Sequence, residues 1–130
     1  AKTSKYEDEK IKIEVFIGDA RKYIKSLKPN SFDIVFQDAF SSDVNFELWT
    51  KEYFEDIFKI ANNNFIMSSY SIATPIRLSM YEANFLIYEH RPVKRKITLS
   101  TKKTQKIIGK FIDMKLKKQR NENAIALYDK

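Results

Sequence analysis

The residues best suited to chemistry follow a short apolar run, Phe32–Phe36. The run is rich in β-branched and aromatic residues, which predicts a strand buried on both faces of a parallel sheet. Asp38 and Phe40 come just after its end. Because open α/β sheets bind ligands beyond the carboxyl ends of their strands, an acid and an aromatic residue at this point indicate a reactive centre. A purely structural loop is the alternative, since Asp and Ser also cap helices.

Composition excludes several classes of protein and of site. A chain of 130 residues with 43% hydrophobic content can bury a core, so it forms one domain or a large part of one. It has no apolar run long enough to cross a bilayer and no apolar signal core, so we expect a soluble, cytoplasmic protein with no membrane partner. With no cysteine and one histidine, thiolate and multi-histidine sites are excluded within one chain, and we expect no metal.

Positive charge is concentrated in residues 91–120. This segment has twelve Lys and Arg residues against a single acid, Asp113, which gives it a charge of +11 in a chain whose total is +7. The rest of the chain is therefore at −4. A block of this sign predicts a polyanion partner, with phosphate the obvious candidate. A solvated lysine-rich surface is the alternative.

Apolar runs alternate between strand and helix patterns along most of the chain. Strands are predicted at Ile11–Ile17, Phe32–Phe36, Phe65–Met67 and Phe85–Tyr88, and helices at Ala20–Leu27, Leu48–Ala61 and Pro75–Tyr81. This alternation indicates right-handed βαβ units, and hence an α/β fold with a mostly parallel sheet. Lys96–Ser100 alternates between polar and apolar residues, which predicts an antiparallel strand at the sheet edge.

The remaining residues divide into a core, 11–100, and a basic extension, 101–130. Apolar residues between Ile107 and Leu116 predict a short or irregular helix, and Ala124–Tyr128 is interpreted as a last short strand or a docked tail. The chain has only two glycines, Gly18 and Gly109, so glycine-rich loops of the dinucleotide-binding and Walker types are absent.

Several of these segments together resemble a known family. The segments are GDAR at Gly18–Arg21, FDIVFQDAF at Phe32–Phe40, NFELW at Asn45–Trp49, SYSIATPIRLSM at Ser69–Met80 and KRKITL at Lys94–Leu99. In that order they are similar to the methyltransferase domain of the MnmC type, found in bifunctional tRNA wobble-uridine enzymes and in stand-alone relatives. The family has a proline where this chain has Phe46, which is a departure in the loop after Phe40.

The resemblance implies a fold, an activity and partners. It implies the class I, Rossmann-like methyltransferase fold, with this chain as the later half of the sheet. It also implies S-adenosylmethionine as cofactor and tRNA as partner, with methylation of the aminomethyl group on the wobble uridine. An oxidoreductase domain, fused or separate, accompanies some members of the family. A non-catalytic RNA-binding module on a methyltransferase-like scaffold is the alternative function.

The resemblance also implies roles for individual residues. Asp38 is the expected catalytic residue, because a carboxylate can orient the protonated amine and accept or relay its proton. The expected cofactor-binding residues are Asp19, Ala20, Asp38 and Phe40. The expected substrate-binding residues are Tyr70, Arg77, Lys94 and Arg95. Three further residues are expected to fix the loop that carries Phe40: Asn45, Glu47 and Trp49.

The family's fold has a glycine-rich loop after its first strand, which holds the amino-acid end of the cofactor, and an acid after its second strand, which holds the ribose. Neither feature precedes Ile11 in this chain. We therefore expect this chain to be the carboxyl-terminal part of a longer methyltransferase. On its own it is expected to bind S-adenosylmethionine weakly or not at all, and to be inactive.

Overall fold

A computed structural model describes residues 2–106 and 109–130. In chain order the elements are β1 (Lys2–Glu7), β2 (Lys12–Ile17), α1 (Ala20–Ile24), β3 (Phe32–Gln37), α2 (Lys51–Ile60), β4 (Ala61–Ser69), α3 (Thr74–Glu82), β5 (Leu86–His90), β6 (Ile97–Thr101), β7 (Lys110–Ile112) and α4 (Met114–Arg120). A short 3-10 helix, Phe46–Leu48, precedes α2. Within the described ranges, no helix is long and apolar enough to pass through a membrane.

Five strands form one mixed sheet in the order β3-β4-β6-β5-β7. β3 and β4 are parallel, with Val35 opposite Met67, which confirms that part of the predicted α/β architecture. β6 is antiparallel to both β4 and β5, and β7 is antiparallel to β5. Three of the four neighbouring pairs among the described strands are therefore antiparallel, so the prediction of a mostly parallel sheet is wrong, although β3, β4 and β5 all run in one direction.

β6 lies inside the sheet, so its prediction as an edge strand is also wrong. Only six residues, 91–96, connect β5 to β6, and so short a connection can return the chain only antiparallel to β5. The position between β5 and β4 gives β6 a hydrogen-bonding partner on each side. Alternation shows which side chains point to which face of a sheet, but it does not show how many neighbouring strands are paired. The pattern therefore could not show that β6 lies between two strands.

The first predicted strand lies outside this sheet. β2 pairs with β1 in a separate antiparallel hairpin, where Val15 lies opposite Ser4 and not beside β3. The sequence of β2 alternates strictly enough to put Ile13, Val15 and Ile17 on one face of the hairpin, where each is exposed. The polar stretch before it was not predicted to be a strand, but it supplies the partner that this alternation requires.

Helices α2 and α3 cover one face of the five-stranded sheet. α2 buries Phe54, Ile57 and Ile60, which recur three residues apart and so form a single stripe. These pack with Met67 of β4 and Ile87 of β5 in the hydrophobic core. On the edge strand β3 the opposite face stays open: Ile34 is 60% exposed and Phe36 78% exposed.

One boundary between a helix and a strand differs from the predictions. A helix was predicted to end at Ala61 and a strand to begin at Phe65, but β4 starts directly at Ala61 and includes the asparagines 62–64. The Asn62 side chain accepts a hydrogen bond from the Asn64 backbone N–H and donates one to Asp33, so its polar groups are satisfied. By contrast, α3 lies close to the predicted Pro75–Tyr81: Pro75 is in its first turn, and Asn84, with a φ of 77°, follows its end.

The extension after β6 packs against the same core. Phe111 and Ile112, predicted in a short or irregular helix, belong to strand β7, and helix α4 follows it; Ile107 and Ile108 lie outside the described residues. The Leu127 N–H donates to Ser79 Oγ at 2.7 Å, and its carbonyl accepts from the Lys51 N–H at 2.7 Å. Of the two interpretations of Ala124–Tyr128, the docked tail is thus the one confirmed.

Candidate active site

Asp38 and Tyr70 lie together at the carboxyl edge of the sheet. Each follows the last residue of a strand, Asp38 after β3 and Tyr70 after β4, and these two strands are parallel neighbours. They share a shallow depression of about 340 Å3, which is lined by Phe36, Gln37, Asp38, Ser68, Ser69, Tyr70 and Ile97. The Asp38 side chain is exposed, so its carboxylate is available to a ligand in this depression.

The loop after Asp38 is held by side chains from three places. The Phe40 N–H donates to Asn45 Oδ1 at 3.1 Å, and the Phe40 carbonyl accepts from Trp49 Nε1 at 2.7 Å. The Tyr70 hydroxyl donates to the Ala39 carbonyl at 3.0 Å. The predicted loop-fixing roles of Asn45 and Trp49 are thereby confirmed.

Aromatic packing in the buried core also supports the same loop. Trp49 is fully buried and meets Tyr70 edge-on, with ring centroids 5.8 Å apart. Phe40 differs, because its side chain is 73% exposed. Trp49 is therefore a core residue that positions the loop, whereas the Phe40 ring is exposed and is not among the residues that line the Asp38 depression.

Asp19 lies in a different depression. Its Oδ1 accepts a hydrogen bond from the Arg21 N–H at 2.9 Å and caps helix α1, with Ala20 as the first helical residue. Asp19 lines a cavity of about 210 Å3 together with residues of α1, α2 and the tail, and that cavity does not include Asp38. The structure therefore does not bring Asp19 and Asp38 into one cavity.

Arg77 is buried inside the domain and is not exposed at the carboxyl edge of the sheet. Its side chain is 2% exposed, with Nη1 3.0 Å from Glu89 Oε2 and Nε donating to Thr98 Oγ1 at 2.9 Å. Its guanidinium therefore has no surface in the Asp38 depression, contrary to the expectation that it lines the substrate side. Its contacts in this structure are those of a supporting residue.

Lys94 and Arg95 are exposed in the connection between β5 and β6. This connection, residues 91–96, contains four cations and is called the basic loop below: Arg91, Lys94, Arg95 and Lys96. Ile97, the next residue along the chain, lines the Asp38 depression. The basic loop and the candidate reactive residue therefore belong to the same edge of the sheet.

A family model described as an S-adenosyl-L-methionine-dependent methyltransferase matches residues 1–103. The chain belongs to this family. Among curated proteins it is 38% identical over 100 residues to an uncharacterized protein of Methanocaldococcus jannaschii, covering 75% of this chain and 28% of that protein. It is 24% identical over 87 residues to the tRNA 5-methylaminomethyl-2-thiouridine biosynthesis bifunctional protein MnmC of Thiobacillus denitrificans, covering 67% of this chain and 14% of that protein.

Solved structures agree with the family. The crystal structure of MnmC2 from Aquifex aeolicus matches with a TM-score of 0.83 and 30% identity, over 98% of this chain and 42% of that one. A probable spermidine synthase from Corynebacterium glutamicum matches with a TM-score of 0.62 and 16% identity, over 88% of this chain and 53% of that one, which shows a shared fold only. The resemblance to MnmC-type methyltransferases is confirmed, and the chain spans less than half the length of the MnmC proteins it matches.

Among the described residues, the basic segment 91–120 does not form one face. The basic loop lies at the carboxyl end of β4, whereas Lys102 lies at the opposite end, where its Nζ donates to the Ala61 carbonyl and sits 4.4 Å from the centroid of the Phe58 ring. Burial lowers the pKa of Lys102. Helix α4 follows β7, which runs away from the carboxyl end of β5. The basic residues of segment 91–120 are therefore divided between different parts of the fold, and the sequence pattern did not show this division.

Glu89 of β5 is a residue that the sequence analysis did not single out. Its carboxylate lies between Arg77 and Lys96, with Lys96 Nζ 3.1 Å from Oε1. Burial alone would raise the pKa of Glu89, but the hydrogen bonds from Lys96 and Arg77 outweigh it and hold that pKa below its ordinary value. The available signal was an acid next to the last residue of a strand that begins with apolar residues.

Within the described residues, no group of three His, Cys, Asp or Glu side chains is arranged to hold a metal ion.

Proposed function

We propose that this chain is part of an enzyme that transfers a methyl group from S-adenosylmethionine to the amine of an aminomethyl group on the wobble uridine of tRNA. The observation that carries the proposal is the exposed Asp38 carboxylate, at the carboxyl edge of a methyltransferase-family sheet and on a loop held by three side-chain hydrogen bonds. The name of the MnmC relative supports tRNA as the substrate class.

The chemistry of Asp38 suits an amine nucleophile. An aminomethyl group is protonated near neutral pH and must lose a proton before its nitrogen can attack. A carboxylate at the edge of the depression orients the ammonium group by charge and then accepts or relays that proton. Since the transfer is an in-line displacement, the rest of the catalysis depends on positioning, which a fixed loop provides.

Four residues are assigned to part of the cofactor. S-adenosylmethionine supplies a methyl group on a cationic sulfonium, and an exposed aromatic ring such as Phe40 suits a cation. Asp19 uses Oδ1 to cap α1, and among the described residues no hydrogen bond reaches its Oδ2, which leaves that atom for an adenine or a water. We assign Asp19 and the Ala20 backbone to the adenine side, and Asp38 and Phe40 to the methyl side.

Lys94 and Arg95 are assigned to the tRNA backbone. Both are exposed on the basic loop, which leads directly into Ile97 at the rim of the Asp38 depression. Phosphate contacts from such residues fix the orientation of a nucleic acid without reading its sequence. Tyr70 is half exposed beside Asp38 and is assigned to the substrate side.

The proposal is tested with Asp38→Asn in the complete gene product that includes residues 1–130. Methyl transfer to tRNA carrying the aminomethyl group should fall by about a hundredfold or more, since a positioned general base contributes at least that much. Binding of tRNA, measured by fluorescence anisotropy, should stay close to wild type.

Asp43→Asn is the matched control, because Asp43 is an exposed acid in the same loop. It should retain nearly full activity. Wild-type protein that binds tRNA but transfers no methyl group would favour the non-catalytic RNA-binding module. Full activity in Asp38→Asn would contradict the role given to Asp38.

A further inference from the structure

A row of polar side chains crosses the whole sheet close to its carboxyl edge. Its members are successive register partners on the five strands: Gln37, Ser69, Thr98, Glu89 and Lys110. The first three are buried, where polar groups are costly unless hydrogen-bonded. Two of them donate to backbone carbonyls outside the sheet. Gln37 Nε2 donates to the Leu48 carbonyl at 2.7 Å, and Thr98 Oγ1 donates to the Ser71 carbonyl at 2.6 Å.

Arg77 joins two members of this row. It donates to Thr98 from Nε and to Glu89 from Nη1, and Glu89 reaches outward to Lys96 of the basic loop. The side-chain exposure rises in the same order, from 2% for Arg77 to 20% for Glu89 and 43% for Lys96. Glu89 is therefore the link between a fully buried guanidinium and the exposed loop.

The inner end of this chain of contacts reaches the candidate site. Thr98 holds the carbonyl of Ser71, the residue directly after Tyr70. Tyr70 in turn donates to the Ala39 carbonyl and packs edge-on against Trp49. An unbroken series of hydrogen bonds and packed residues thus runs from Lys96 through Glu89 to the residue beside Asp38.

We propose that Glu89 is a positioning residue that holds the basic loop and the Tyr70 loop in one fixed arrangement around Asp38. This inference rests on the proposed function. Removing one partner of a buried ion pair leaves an uncompensated charge, so the fold has to rearrange near Arg77. The nearest segments that can rearrange are the two loops tied to it.

Trp49, the single tryptophan of the chain, reports on this arrangement without any need for activity. In Glu89→Gln, acrylamide quenching of Trp49 fluorescence should increase while unfolding in urea stays cooperative. Glu55→Gln is the matched control, since Glu55 also pairs with a lysine, Lys51, but on the exposed side of α2. It should leave the quenching of Trp49 unchanged.

Methyl-transfer kinetics provide the second readout. In Glu89→Gln, kcat should fall about tenfold, equivalent to roughly 1.4 kcal/mol of transition-state stabilisation. KM for tRNA should change less than kcat, because all four cations of the basic loop remain although the loop is held less firmly. A rise in KM with unchanged kcat would mean that Glu89 affects only tRNA binding, and would overturn the proposal.

Thr98→Val gives an independent check if Glu89→Gln fails to fold. It removes only the hydroxyl that joins Arg77 to Ser71, and it should also increase Trp49 quenching. Wild-type quenching in the folded variant would overturn the proposal. If wild-type protein shows no methyl transfer, the proposed function fails, and the quenching comparison still decides whether Glu89 positions these loops.

Discussion

Both polar backbone atoms of Phe40 are engaged by side chains, its N–H by Asn45 and its carbonyl by Trp49. This double attachment fixes the backbone two residues after Asp38. Each of these hydrogen bonds removes a direction in which the exposed loop could move. The bulk of Trp49 serves the core, and only its ring N–H serves the site.

Trp49→Phe separates these two roles. The variant keeps an aromatic ring but loses the donor to the Phe40 carbonyl, so the free energy of unfolding should fall by about 1–3 kcal/mol. Urea unfolding followed by circular dichroism measures the loss. Tyr53→Phe is the control, since no hydrogen bond of the Tyr53 hydroxyl joins it to the described residues; an equal loss in both variants would contradict the assigned role.

Residue types identified part of the site in advance. Asp38 was singled out because it follows the end of a strand, and Asn45 and Trp49 were predicted through the resemblance to the family. Glu89 could not be found, because its importance depends on Arg77, twelve residues away, and on the loop that follows β5. Burial was the missing information for Arg77, whose position in the sequence does not show that its charge is enclosed.

At the scale of elements, the first turn of helix α2 attaches the tail to the rest of the domain. Thr50 caps it, with Oγ1 accepting from the Tyr53 N–H at 3.3 Å and donating to Asp129 Oδ1 at 2.7 Å. The same turn binds the tail through Lys51 and Leu127. One buried hydroxyl therefore both starts a helix and attaches the end of the chain.

Thr50→Ala should lower the free energy of unfolding by about 1–2 kcal/mol, the usual cost of losing an N-cap. The tail should also become easier to remove by carboxypeptidase digestion followed by mass spectrometry. Thr104→Ala is the control, because Thr104 is exposed and its effect should stay within about 0.5 kcal/mol. A Thr50 variant as stable as the control would show that the cap contributes nothing.

Local signals were enough for individual elements but not for their neighbours. α3 was predictable because Pro75 and Asn84 mark its two ends. The place of β6 inside the sheet was not, since strand pairing depends on contacts distant in sequence. β1 was missed for a related reason: its polar residues gain strand structure only by pairing with β2.

At the scale of the whole molecule, the charge of residues 91–120 is divided between several surfaces. The basic loop and Lys110, the first residue of β7, lie at the edge that carries Asp38, while α4 follows β7 after this strand has left that edge. Net charge predicted a polyanion partner, but the fold decides which cations can act together. We therefore assign tRNA contact to the basic loop and not to α4.

Paired charge reversals test this division. The double variant Lys94→Glu, Arg95→Glu should weaken tRNA binding. It should also make the negative slope of log K against log salt shallower by roughly 1–2, since each phosphate that a cation neutralises contributes about 0.7–0.9 to the size of that slope. Lys115→Glu with Arg120→Glu makes the same change in charge on exposed residues of α4. Anisotropy titrations at several salt concentrations should show the smaller effect for the α4 pair; equal effects would mean that the whole segment acts as one surface.

We infer that Asp38 serves a methyl transfer to an amine of tRNA. Nucleoside mass spectrometry tests it most directly, using tRNA that carries the aminomethyl wobble uridine, S-adenosylmethionine and the complete gene product. We predict that wild-type protein converts this nucleoside to the form one methyl group heavier and that Asp38→Asn leaves it unchanged. A methyl group found on any other nucleoside, or equal conversion by both proteins, would contradict that claim.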